Sequence, residues 1–117
     1  MSMRVVFYKP SRFYVNNFIK ALVEQDRNEV LGCLQSIEDL GFDSPRANFR
    51  HIKKKLWEIK INISSGGYRI FYVTLCSDTI VLLHAYKKQS QKAPLKEIAI
   101  AEKRLLEVLK HDICYIS

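Results

Sequence analysis

The fold is decided between Leu56 and Tyr86. The stretch reads LWEIKINI (56–63), SSGG (64–67), YRIFYVTL (68–75), CSD (76–78) and TIVLLHAY (79–86). In the first segment Trp57, Ile59, Ile61 and Ile63 alternate with Glu58, Lys60 and Asn62, the period of a half-buried strand. Ser64 to Gly67 has turn composition. Tyr68–Leu75 reads as the next strand, Ser77-Asp78 marks a second turn, and Thr79–Tyr86 reads as a third strand. Three strands joined by tight turns predict an antiparallel meander.

Toward the N-terminus, Phe42–Arg50 (FDSPRANFR) reads as irregular, with Pro45 at its centre. His51-Ile52-Lys53-Lys54-Lys55 is the densest positive cluster of the chain. Before it, Val30, Leu31, Leu34, Ile37 and Leu40 recur at helical spacing. Asp26 and Glu29 predict a capping box at the start of that helix, and Gly41 a left-handed stop. Val15, Phe18, Ile19, Leu22 and Val23 form an earlier helical stripe, with Ser11 as its cap. The short linker predicts a helical hairpin. Arg4–Tyr8 (RVVFY), ended by Lys9-Pro10, reads as a first strand. After the meander, Pro94 opens a last helix whose apolar side is Leu95, Ile98, Ala99, Leu105, Leu106 and Leu109. The tail HDICYIS is expected to fray. The order is β-α-α-β-β-β-α, an α+β fold in which a helical hairpin packs on a small, mainly antiparallel sheet.

The chain has 117 residues, 19 basic and 12 acidic, for a net charge of +7. That length predicts one domain over residues 1–117 with an ordinary hydrophobic core. No apolar run approaches about 18 residues, and no secretory signal is recognisable at the start. Cys33, Cys76 and Cys114 are scattered, as expected of reduced thiols in a cytoplasmic protein. His111 and Cys114 stand three apart, too weak a pattern for a metal site. The basic excess favours polyanions such as nucleic acid or the ribosome.

Alternation assigns faces. Trp57, Ile59, Ile61, Ile63, Ile70, Tyr72, Val81, Leu83 and Ala85 are expected under the helical hairpin. Glu58, Lys60, Arg69, Phe71, Val73, Leu82, His84 and Tyr86 are expected on the opposite, open face. A one-residue bulge would reverse any of these assignments. Lys53, Lys54 and Lys55 are expected to flank that face at one end, with Lys87, Lys88 and Lys92 beyond the last strand. An arginine in the middle strand of a meander needs a partner or an open groove. Arg69 pairing with Glu58 across the sheet is one solution. Cations, aromatics and one histidine on a shallow surface suit an RNA backbone with stacked bases. Taken singly, each of these residues has an ordinary structural role, and their conjunction carries the inference.

The segments LWEIKI (56–61), GYRIFY (67–72) and IVLLHAYKKQSQKAP (80–94) resemble the RelE/ParE toxin superfamily, and within it the phage-derived, HigB-like subgroup. The resemblance implies a toxin of a toxin–antitoxin pair. It implies cleavage of mRNA in the ribosomal decoding site without metal or small-molecule cofactor, by ribose 2′-OH attack on the adjacent phosphate. By motif position, Arg69 corresponds to a phosphate clamp, His84 to a proton-transfer residue, and Tyr86 to a base-stacking or leaving-group residue. Lys60 stands where relatives often carry Arg. Lys87, Lys88 and Lys92 match the basic segment that holds RNA, and Lys53 to Lys55 join it. General base and general acid are not distinguishable from the sequence. The implied partners are a helix-turn-helix antitoxin, mRNA and the ribosome, with no membrane. Two other classes share the pattern: a ParE-like DNA gyrase inhibitor, and an inactive relative that only binds nucleic acid or a partner.

Overall fold

The computed structural model describes residues 2–9, 13–63, 66–90 and 92–116. Its elements are β1 (Arg4–Phe7), α1 (Phe13–Lys20), α2 (Glu24–Leu40), a 3-10 turn (Gly41–Asp43), β2 (Asn48–Lys53), β3 (Leu56–Ile63), β4 (Gly66–Leu75), β5 (Thr79–Lys87), α3 (Leu95–Lys110) and α4 (Ile113–Ile116). The five strands form one sheet in the order β1-β5-β4-β3-β2, antiparallel except for the parallel β1–β5 edge. The meander is present as expected. The proposed cap Ser11 and the turn residues Ser64 and Ser65 lie outside the described residues.

Both faces of the sheet are covered. Val15 and Ile19 of α1 and Val30, Cys33, Leu34 and Ile37 of α2 bury one face with Ile59, Ile61, Ile70, Tyr72, Ile80 and Leu82. Ala101, Leu105 and Val108 of α3 bury the other with Leu56, Phe71, Val73, Val81 and Leu83. The expected open face therefore lies largely beneath the last helix, whose apolar side packs within the domain. Leu95 and Leu106 turn outward.

Four sequence expectations are corrected. Asn48–Arg50, the end of the stretch read as irregular, and His51–Lys53 of the basic cluster form β2, pairing with β3 from Asn48↔Lys60 to Lys53↔Leu56 through a bulge between His51 and Lys53. Val81 and Leu83 face α3, and Leu82 faces the hairpin. The cause is a bulge in β5: Phe71 pairs with His84 but Tyr72 with Leu82, so Leu83 and His84 both point toward α3. Asp26 does not cap α2, which begins at Glu24 after Val23. Its buried carboxylate instead accepts the Tyr68 hydroxyl at 2.7 Å. The tail is anchored, because Tyr115 is buried, its hydroxyl accepts the Lys9 amide and its carbonyl accepts Arg4 Nη2. Gly41 does end α2, with φ 63° in the left-handed region.

Candidate functional site

Two cross-strand rows on the α3 side of the sheet bring the predicted residues together. Lys60, Arg69 and Tyr86 are direct neighbours across β3, β4 and β5. In the adjoining row stand Arg50, Glu58, Phe71 and His84. Cross-strand neighbours on one face stand about 4.5–5.5 Å apart, so the two rows form one continuous array. Arg69, His84 and Tyr86 thus share a face, as the alternation indicated.

Glu58 is the hub, with no exposure at all. A carboxylate there needs compensation. Arg50 Nη2 supplies it at 2.7 Å from Oε1, and the Tyr86 hydroxyl donates to Oε2 at 2.6 Å. The Tyr86 ring reaches across β4 stacked on Phe71, with centroids 5.4 Å apart. Burial, and then the Glu58 carboxylate, push the Tyr86 phenol well above its ordinary range. Arg50 takes the role toward Glu58 that the sequence offered to Arg69.

That leaves Arg69 with neutral oxygens. It is 4% exposed, and its Nη1 donates to the Tyr68 carbonyl at 2.9 Å and to Asn62 Oδ1 at 3.3 Å. Among the described residues no carboxylate lies within 4 Å of it. Gly67 makes the room, since a Cβ there would stand 3.1 Å from Nη1. A buried guanidinium whose direct contacts are neutral acceptors, with its nearest facing carboxylate Glu58 in the adjoining row, favours an incoming anion.

His84 is held at both ring nitrogens. Nε2 stands 2.8 Å from Glu97 Oε2, and Arg104 Nη1 approaches Nδ1 at 3.4 Å while donating to the Leu83 carbonyl at 2.7 Å. Arginine only donates, so Nδ1 is the acceptor and the proton sits on Nε2. Arg104 thereby satisfies a carbonyl at the bulge and orients the histidine beside it. Glu97 and Arg104 escaped the sequence reading. They stand seven apart on α3, one position before Ile98 and Leu105 of its apolar stripe, and that flanking placement was the available signal.

Burial lowers the His84 pKa, Glu97 raises it by hydrogen bond and charge, and Arg104 lowers it further, with the net shift downward. The unfolded chain then takes up a proton first as pH falls. The stability from neutral His84 is complete above its ordinary pKa of about 6.5 and is lost as pH drops toward the folded-state value. Urea midpoints of the wild type are therefore expected to fall more between about pH 7 and pH 5 than those of His84→Asn. Parallel curves would contradict this.

The remaining lysines divide into two groups. Lys87 pairs with Tyr68 beside the Arg69–Tyr86 pair, and the Lys88 amide donates to the Gly67 carbonyl, so both stand at the Arg69 end of the sheet. Lys92 is exposed in the segment before α3, its carbonyl accepting the Ser90 hydroxyl. Lys53, Lys54 and Lys55 stand at the far end of β3, and five residues of strand put Lys55 roughly 17 Å from Lys60. Lys53 is paired there with Glu102 of α3 at 3.1 Å.

A mainly antiparallel sheet with a parallel edge strand, a helical hairpin on one face and a C-terminal helix on the other is an α+β architecture of RelE type. The chain belongs to the family described as Phage derived protein Gp49-like (DUF891), whose model matches residues 17–106. This is a RelE/toxin-type family, and the matched segment contains every residue of the two rows. No curated protein matches the chain. Among the described residues no helix is long and apolar enough to cross a membrane.

Proposed function

We propose that the protein is the toxin of a toxin–antitoxin pair, of the phage-derived, HigB-like kind, and acts as a ribosome-dependent mRNA endoribonuclease. The observation that carries this reading is the row Lys60–Arg69–Tyr86, in which a buried guanidinium lacks a carboxylate counter-ion within 4 Å among the described residues. A scissile phosphodiester supplies the missing negative charge. The ribose 2′-oxygen attacks the adjacent phosphorus as its proton leaves to a base. The bond from phosphorus to the 5′-oxygen breaks, and that oxygen takes up a proton. The products are a 2′,3′-cyclic phosphate and a 5′-OH end.

Arg69 and Lys60 stabilise charge that grows on the non-bridging oxygens. Lys88 and Lys92 continue the positive charge beyond the end of β5, while Lys87, paired with Tyr68, alternates to the hairpin face. Tyr86 offers a hydroxyl already coupled to Glu58, a route for one proton. His84 enters proton transfer only when the first turn of α3 releases Glu97 from Nε2. Arg69, being buried, touches phosphate directly only when its hydrogen bonds to Tyr68 and Asn62 open. A helix-turn-helix antitoxin and the cytoplasm are the partner and compartment that go with this activity.

The occupied nitrogens of His84 favour one other reading, a relative that binds nucleic acid without cutting it. Pulsed expression followed by primer extension separates the two. The nuclease reading expects translation arrest with new 5′ ends inside translated messages. Arrest with intact messages would support the binding reading. Intact messages with gyrase-dependent DNA breaks would point to the ParE-like class.

A further inference from the structure

We propose that the cavity beside the 3-10 turn binds a neutral, planar aromatic small molecule that carries a hydrogen-bond acceptor. The cavity encloses about 380 Å³, at the low end of the roughly 300–1,000 Å³ of small-ligand pockets. Four of its five lining residues are aromatic: Phe42 of the turn, Phe49 of β2, Trp57 of β3 and Tyr72 of β4, with Thr74 as the fifth. Phe42 is 46% exposed and Trp57 37%, large apolar rings left open where the neighbouring core is closed. Phe49 and Tyr72 belong to the hairpin side of the sheet. The cavity therefore lies on the face opposite the Lys60–Arg69–Tyr86 row, and the inference does not rest on the nuclease reading.

The walls fix one another. Phe42 meets Phe49 edge-on, with centroids 5.0 Å apart, Phe49 meets Tyr72 edge-on at 6.0 Å, and the His51 ring lies 4.9 Å from that of Trp57. Rings held in this way lose little freedom on binding, which favours a flat, rigid guest. Tyr72 selects the polar group. It is 1% exposed, yet its hydroxyl has no hydrogen-bond partner among the described residues. Buried phenols ordinarily find one. Burial raises the Tyr72 pKa, so the hydroxyl keeps its proton and is free to donate. None of the described lining residues is charged. An ionic guest would lose its hydration there without a counter-charge, and a cation would also face a chain of net charge +7. A neutral ring with an acceptor uses both the walls and the hydroxyl.

Trp57 is the single tryptophan of the chain, so its indole N–H gives one resonance at the site. The test follows that resonance in the folded full chain as quinoline is added in mildly alkaline buffer, where it is an uncharged bicycle with one ring-nitrogen acceptor. Indole, which donates but lacks that acceptor, is the companion probe. Quinoline is expected to shift the resonance saturably. Tyr72→Phe keeps the ring and is expected to weaken quinoline on the order of fivefold, the worth of one neutral hydrogen bond, while leaving indole unchanged. Phe42→Ala is expected to weaken both probes, and circular dichroism melts check that each variant folds. The absence of a saturable shift, or no difference between the two probes in Tyr72→Phe, would overturn the inference. Tighter binding of tetramethylammonium would make the cavity a cation cage. Tighter binding of a single-stranded RNA of about twelve nucleotides at the same resonance would make it a base-stacking platform. Either result would also overturn the small-molecule reading.

Discussion

Glu58→Ala is expected to remove about 3–5 kcal/mol of folding free energy, the range for breaking a buried ion pair by deleting one partner. In a domain of this length that is a fall in melting temperature on the order of 15 °C. Three consequences add up. Arg50 keeps its charge but loses its carboxylate, the buried Tyr86 hydroxyl loses its acceptor, and a cavity opens on the face beneath α3. The Arg50 side chain is 35% exposed, so water recovers part of its charge and the loss should lie toward the lower end of that range. Glu58→Gln keeps an acceptor for Tyr86 and most of the volume, and its cost should be nearer about 1–3 kcal/mol. Arg50→Met/Glu58→Leu, which replaces both charges with apolar groups, is expected to cost less than Glu58→Ala but still about 1–3 kcal/mol, because the Tyr86 hydroxyl loses its acceptor. Urea unfolding of the three variants checks the series. A Glu58→Ala loss below about 1 kcal/mol would mean that Glu58 is not the hub of the face.

Arg69→Gln is expected to lower cleavage by about 10²–10³-fold, the usual effect of removing one donor from a developing oxyanion, once the Arg69 bonds to Tyr68 and Asn62 have opened. Its effect on folding should run the other way. Glutamine keeps a donor for the Tyr68 carbonyl and removes a buried charge that has no carboxylate within 4 Å among the described residues. The variant should therefore be as stable as the wild type or more so. Arg69→Lys keeps the charge without the planar fork and should retain intermediate activity. A purely structural arginine would give the reverse pattern, with stability lost and cleavage intact.

The meander was readable because LWEIKINI alternates cleanly, one face polar and one apolar. β2 was not. Phe49 packs toward the hairpin and Ile52 toward α3, while Arg50 and His51 alternate with them. Each face of that edge strand receives one apolar and one polar residue, and the His51–Lys53 bulge blurs the period further. β5 carried a different signal. The run IVLL lacks alternation because both faces of the strand are buried. A run buried on both faces calls for cover on the second face too, and the face expected to be open is in fact covered by α3. The bulge at Leu83 that reverses Val81, Leu82 and Leu83 relative to His84 leaves no trace in a run of apolar residues. That Lys60, Arg69 and Tyr86 share a face followed from alternation, whereas their direct pairing is set by the strand register. The Arg50–Glu58 pair depended on a strand that the composition hid, and the hold of Glu97 and Arg104 on His84 depended on where α3 docks.

The chemistry of the cut ends tests the functional reading most directly. Purified protein is mixed with ribosomes stalled on a defined message, and the products are labelled at their 5′ ends by polynucleotide kinase with and without prior phosphatase. Attack by the 2′-oxygen expects 5′-OH ends that label without phosphatase, opposite a 2′,3′-cyclic phosphate, and expects both to disappear in Arg69→Gln. Products carrying 5′-phosphates, or equal cleavage by Arg69→Gln, would contradict a nuclease built on the Lys60–Arg69–Tyr86 row.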